Sequence, residues 1–218
     1  LWLARRVGLT EFPDCLRYMP DLAYRDGAEM RRFPAMVAKM TAPDGRPTIV
    51  HRTYLTIRGS KPDGIEQRKL MPGTVTRGSA IRLAEPAGEL GIAEGVETAL
   101  AASKLHTVPV WACLTEGLLQ MWEPPPEVEK IIVFGDNDSN FVGQSAAYAL
   151  AKRLVRQGKS VEVRIPETVK DWNDVLQQES EVIEHRGSTP ITQTVPAGGP
   201  NHSRQPGSPE TGVNNGVL

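Results

Sequence analysis

Two carboxylates one residue apart, in Gly135-Asp136-Asn137-Asp138, follow directly on the apolar run Ile131-Ile132-Val133-Phe134. Such a run reads as a buried strand, and carboxylates placed where a strand leaves its sheet can hold a hard divalent cation. Two further acidic points stand in the same kind of place: Glu94 after Leu90-Gly91-Ile92-Ala93, and Asp171 with Asp174 after Ser160 to Ile165. In a parallel sheet the carboxyl ends of the strands lie on one side, so these acids converge. Their repulsion is relieved by Mg²⁺ or Mn²⁺, ions that leave positions for water and phosphate oxygens. Gly95 is expected to let the chain turn tightly into a helix whose first N–H groups stay open toward an anion. Each acid taken singly has a plainer reading as a turn residue, a helix cap or a first-turn acid. Their recurrence at three strand ends points to phosphoryl chemistry.

The elements that must position these acids alternate from Glu89 onward, strand with helix, which is the pattern of a parallel, Rossmann-like sheet. Leu90 to Ala93, Val108 to Leu114, Ile131 to Phe134 and Ser160 to Ile165 read as strands. Val96 to Lys104 reads as a helix with Val96, Ala99, Leu100 and Ser103 on one side. Phe141 to Gln157 reads as a second, with Ala146, Ala147, Leu150 and Leu154 on one face and Gly158 as its stop. Lys170 to Leu176 reads as a loop opening a last short helix.

The first 88 residues are of another kind. Pro13, Pro20, Pro34 and Pro43 break any long helix, and Asp44-Gly45 is a turn signal between Met36–Met40 and Thr48–Leu55, which predicts a hairpin. Residues 1–88 carry 15 Lys and Arg against 9 Asp and Glu, and residues 89–218 carry 10 against 17. A basic part beside an acidic part suits a chain that tracks a polyanion with one half and holds cations with the other. After about Glu184 large apolar residues almost vanish, and residues 185–218 are expected to form a disordered tail. The domains expected are therefore 1–88, a small basic α+β domain; 89–184, an α/β domain; and the tail.

The totals exclude several classes. Hydrophobic residues make up 39% and charged residues 23% of 218 residues, as in a globular protein, and no stretch approaches a membrane span. Cys15 and Cys113 lie far apart, without zinc-ligand spacing, so a reducing, cytoplasmic setting is the expectation. The N-terminus lacks a secretory pattern and an initiating Met, which is compatible with a piece of a longer protein.

Ile92-Ala93-Glu94-Gly95 opening a helix, with Ile132 to Asp138 after a further strand, resembles the Toprim domain shared by bacterial and phage primases, topoisomerases, overcoming-lysogenization-defect nucleases and RecR-type recombination proteins. The resemblance implies a compact Rossmann-like parallel sheet flanked by helices, with Glu and Asp-x-Asp binding metal at its edge. Ala93 to Leu100, Asp136 to Gln144 and Lys170-Asp171-Trp172-Asn173-Asp174 are most similar to primases of phage, plasmid and integrative-element type. His51 to Leu55, Lys69 to Gly73 and Gly78 to Leu83 resemble the domain that precedes Toprim in such proteins. Glu97 stands where many primases carry Asp, and their usual N-terminal zinc-binding module is missing from this sequence.

What the resemblance implies is primer synthesis: a DNA primase-like nucleotidyltransferase using ribonucleoside triphosphates on a single-stranded DNA template, with a replicative helicase as a further partner. Glu94, Asp136 and Asp138 would be catalytic and would bind metal with Asp171 and Asp174; Gly95 and Glu97 would support them. Arg52, Lys69, Arg77 and Arg82 are the expected nucleic-acid or nucleotide contacts, Lys69 with the best claim from its motif. Arg46 is a weaker candidate, His51 reads as structural, and Trp111, Trp122 and Trp172 read as core. A Toprim nuclease and a noncatalytic nucleic-acid-binding accessory are the alternatives.

Overall fold

The computed structural model describes residues 2–187. A short helix α1 (Trp2–Val7) leads into an antiparallel sheet of β1 (Leu16–Asp26), β2 (Glu29–Thr41), β3 (Pro47–Tyr54) and β4 (Arg68–Leu70), in that order. The hairpin read from Asp44-Gly45 is β2–β3. Gly45 takes φ 86°, and Asp44 caps the turn by accepting the Arg46 N–H at 3.1 Å. β1 is a long strand where prolines obscured one. Pro20 falls where its pairing with β2 shifts register, between Met19 and Leu22, so its missing N–H interrupts no ladder.

The second sheet is wholly parallel, built from β5 (Glu89–Ala93), β6 (Val110–Ala112), β7 (Lys130–Phe134) and β8 (Ser160–Arg164) in the order β6-β5-β7-β8. α2 (Val96–His106), α3 (Glu116–Met121), α4 (Val142–Arg156) and α5 (Trp172–Gly187) connect and flank these strands. α3 was not legible in the sequence, and α5 is longer than the short helix expected. Residues 188–218, the greater part of the expected tail, lie outside the described residues. Among the described residues no helix is long and apolar enough to cross a membrane.

α2 is not the one-sided helix its pattern predicts: every residue from Val96 to Ala102 is buried, Glu97 and Thr98 included. One apolar cluster explains this, running from Met36, Met40 and Ile49 of the first sheet through Val96, Ala99 and Leu100 to Ile132 and Phe134 of the second. Ala99, Ala101 and Ala102 fill the middle of α2 and are fully buried. The segment after β4 ties the sheets together, since Ala80 bridges to Thr41 of β2 and Ile81 to Ala112 of β6. Trp111, Trp122 and Trp172 are all buried, as expected of core residues.

Candidate active site

β5 and β7 are neighbours in register, Ala93 opposite Phe134, so the residues that follow them emerge side by side at one sheet edge. Glu94 follows β5 and Asp136 follows β7; both line a cleft of about 260 Å³ together with Asp138, Asp171, Gly95, Glu97 and Thr98. Basic residues complete its wall: Arg6, Lys61 and Arg68 from the first part of the chain, and Lys170 from the loop before α5.

The Asp136–Asp138 loop is held from three directions. The Asn137 N–H donates to the Lys170 carbonyl at 2.7 Å, and the Gln144 side-chain amide donates to Asn137 Oδ1 at 2.9 Å and to the Asp138 carbonyl at 3.0 Å. α4 closes in underneath because position 143 is glycine. A Cβ there would stand 2.8 Å from the Asp136 carbonyl oxygen and 3.1 Å from Asp138 Oδ2. Phe141, just before α4, adopts φ 61° to make that approach.

The carboxylates crowd one another, and Arg68 and Lys170 offset only part of the effect. Burial, with Glu116 and Asp138 nearby, pushes the Glu94 carboxyl up to about 7. Burial, with Glu94, Asp171 and Asp138 around it, pushes the Asp136 carboxyl up to about 7 as well. Asp136 Oδ1 is buried and has no hydrogen-bond partner among the described residues. The Asp138 carboxylate faces Lys170 Nζ at 3.6 Å. Among the described residues no three acidic side chains already form a metal-ligand set. The donors nonetheless suit a hard cation: carboxylate oxygens, one of them orphaned, crowded enough that a divalent charge would relieve their repulsion.

Asp171 and Asp174 divide. Asp171 lines the cleft and also caps α5, its Oδ1 accepting the Asp174 N–H at 3.0 Å, while burial raises its carboxyl above the ordinary value. Asp174 lies in the first turn of α5 and is not among the residues lining the cleft. Gly95 takes φ −88° and ψ 152°, backbone that any residue adopts, so a tight turn is not the reason for glycine here. Among the described residues no side chain caps α2 at this point, and Gly95, Glu97 and Thr98 of its start line the cleft.

The basic residues singled out from the sequence are engaged elsewhere. Arg52 donates to the Leu70 carbonyl at 2.7 Å. Lys69 donates to the Arg25 carbonyl at 3.1 Å and sits 4.3 Å over the Tyr24 ring. Arg77 lies 3.7 Å from Glu123, and Arg46 pairs with Asp44. Arg82 donates to the Ala42 and Pro43 carbonyls and stacks 4.8 Å over Trp111. None of these lines the cleft. Lys61, Arg68, Arg6 and Lys170, which do, had no sequence signal beyond the general basicity of the first part and, for Lys170, its place beside Asp171.

The Toprim domain family matches residues 89–181, the stretch that carries all the acids of the cleft. This part of the chain is a Toprim domain. Residues 1–83, which precede it, match a domain of unknown function (DUF7146). No curated protein matches the chain. Among solved structures, the chain is similar to the primase fragment of the bacteriophage T7 primase-helicase protein, with TM-score 0.50, 16% identity, and coverage of 84% of this chain and 67% of that one. It is also similar to the DnaG catalytic core, with TM-score 0.54, 13% identity, and coverage of 85% and 67%. A DnaG primase catalytic domain bound to single-stranded DNA matches with TM-score 0.50, 15% identity, and coverage of 76% and 55%. At such identities the likeness is one of fold: a Toprim domain behind an antiparallel-sheet domain, as in primase cores. The chain spans between 43% and 67% of the length of the first matching primase structures.

Proposed function

We propose that the protein is a DNA primase-like nucleotidyltransferase that builds RNA primers on single-stranded DNA from ribonucleoside triphosphates. One observation carries the reading: Glu94, Asp136, Asp138 and Asp171 share a single cleft with Arg6, Lys61, Arg68 and Lys170. Carboxylates alone would repel a triphosphate and cations alone would bind one without activating it; side by side they can do both. Mg²⁺ or Mn²⁺ held by Glu94, Asp136 and Asp138, with Asp171 beside them, would supply electrostatic stabilisation of the charge on the transferring phosphoryl group.

The chain's own groups supply the rest. Lys61, Arg68, Arg6 and Lys170 bind phosphate oxygens, and the start of α2 faces the same anion. Glu94 is the group placed to accept the proton of the 3′-hydroxyl as that oxygen bonds to the α-phosphorus of the incoming nucleotide and the bond to pyrophosphate breaks. The Gln144 side-chain amide and the Lys170 backbone carbonyl keep Asp136 and Asp138 in register with Glu94. Asp174 supports α5. A replicative helicase is the partner this reading assigns, from the family likeness.

The test is synthesis of labelled oligoribonucleotides on single-stranded DNA by wild type beside Glu94→Gln and Asp138→Asn. Synthesis that survives both substitutions overturns the mechanism. Release of shortened DNA, with no synthesis, would replace it with the nuclease reading.

A further inference from the structure

Glu97 is charged, only 6% exposed, and compensated by residues from the preceding domain. Its Oε1 accepts from Lys61 Nζ at 2.8 Å and from Arg68 Nη2 at 2.8 Å. Burial raises its carboxyl, but Arg68 and Lys61 outweigh that and leave it below its ordinary value. Glu97 lies in the first turn of α2, the helix that starts from Glu94 and Gly95 at the cleft. The cations it holds come from the least regular part of the other domain: Lys61 from the loop between β3 and β4, and Arg68 from the first residue of a three-residue strand.

Lys and Arg on such segments ordinarily keep their rotamer freedom in solvent, and ordering them on a ligand carries an entropic cost. Here both are ordered in advance. Lys61 is also fixed from behind, its ammonium 5.1 Å over the Trp2 ring. Each keeps N–H donors beyond the one given to Glu97, and each lines the cleft.

Resting on the primase reading, we propose that Glu97 is a positioning residue that fixes Lys61 and Arg68 as a polyphosphate-binding pair, so that the domain of unknown function supplies one wall of the Toprim site. Glu97 touches neither metal nor phosphate in this arrangement; it acts through the two cations. The ligand class is a nucleoside triphosphate recognised by its phosphate chain, whatever the base.

The experiment measures binding of magnesium tripolyphosphate by the whole chain, read calorimetrically, with no template or synthesis involved. Glu97→Gln is expected to weaken binding about tenfold, the loss of one charge-assisted anchor. Glu97→Asp, which keeps the charge on a shorter arm, is expected to fall between Glu97→Gln and wild type. The double variant Lys61→Ala/Arg68→Ala should bind at least as weakly as Glu97→Gln, and adding Glu97→Gln to it should weaken binding no further; that triple variant leaves no buried charge unpaired. Binding by Glu97→Gln as tight as wild type overturns the proposal, even if the melting temperature drops. So does a further loss on adding Glu97→Gln to the double variant, which would mean that Glu97 acts on the ligand independently. Wild type that does not bind overturns it too. A protein that binds in the expected pattern but makes no primer removes the primase reading and leaves the role of Glu97 standing.

Discussion

The two walls of the cleft are built differently. On the Toprim side each acid follows an apolar strand or its flanking loop, so its position is fixed by a short segment of chain and by the register of β5 on β7. On the other side the cations come from Arg6, a loop and a three-residue strand, and two of them, Lys61 and Arg68, are held by a carboxylate on α2. A metal site needs few residues held closely, and regular strands supply that. A phosphate-binding wall needs long side chains that reach, and only a tertiary contact holds those still.

The largest expected effect lies on the acidic wall. Asp136→Asn, nearly isosteric, should reduce primer synthesis by about a thousandfold, the scale expected when a group that stabilises transition-state charge is lost. Steady-state rates on single-stranded DNA check this, and activity within tenfold of wild type would break the comparison. Gly143→Ala should come next: the new Cβ meets the Asp136 carbonyl oxygen at 2.8 Å, and the loop must move. A loss of about a hundredfold in kcat with little change in nucleotide KM is the expected signature of that displacement.

On the basic wall, Lys61→Ala should raise nucleotide KM about tenfold, whereas Lys69→Ala should leave it within about twofold, because Lys69 is tied to Arg25 and Tyr24 inside its own domain. Equal effects of the two would show that the cleft is not where phosphate binds. Arg82→Ala should act on stability alone, by roughly 1–3 kcal/mol, from two lost carbonyl contacts and the Trp111 stack, measured by urea unfolding.

The two sheets also differ in the sign of the pH dependence that their buried groups bring, although His51 on β3 does not line the cleft. Burial, then the charge of Arg68, holds the His51 imidazole down to about 4 against an ordinary 6.5, with Glu97 opposing and Arg52 and Lys61 adding. Between those values the unfolded chain binds the extra proton, so the stability His51 contributes is present above about 6.5 and is lost as pH falls toward 4, by at most about 3 kcal/mol. Glu94 and Asp136, raised to about 7, act the other way, since the folded chain holds more protons than the unfolded one. Their contribution is present at low pH and is lost as pH rises through 7. Melting curves of wild type and His51→Gln from pH 4 to 8, without divalent ions, separate the two: the acid limb should flatten in the variant and the neutral limb should not.

Much of the Toprim half was legible in the sequence. Ile131–Phe134 and Leu90–Ala93 are apolar throughout because both sheet faces are covered, and the acids stand out by ending those runs. Asp171 was equally visible as cap and as site residue, and it lines the cleft while capping α5. The first part was harder to read. β1 carries Pro20 and five consecutive exposed residues, so its pattern resembles a loop until β2 supplies the ladder. Arg52, Lys69, Arg77 and Arg82 stood out by motif or placement and proved to be engaged with carbonyls, aromatic rings and Glu123.

The sequence by itself determined the order of the four strands from Glu89 onward, the helices α2 and α4 between them and the acids that follow those strands, because hydrophobic period and strand termini are local properties of a chain. Which cations face those acids, and that Glu97 serves them, was decided only by tertiary structure. Lys61 and Arg68 stand 36 and 29 residues from Glu97, and no local pattern records which charged side chains will be left to compensate a carboxylate once α2 is buried between two sheets.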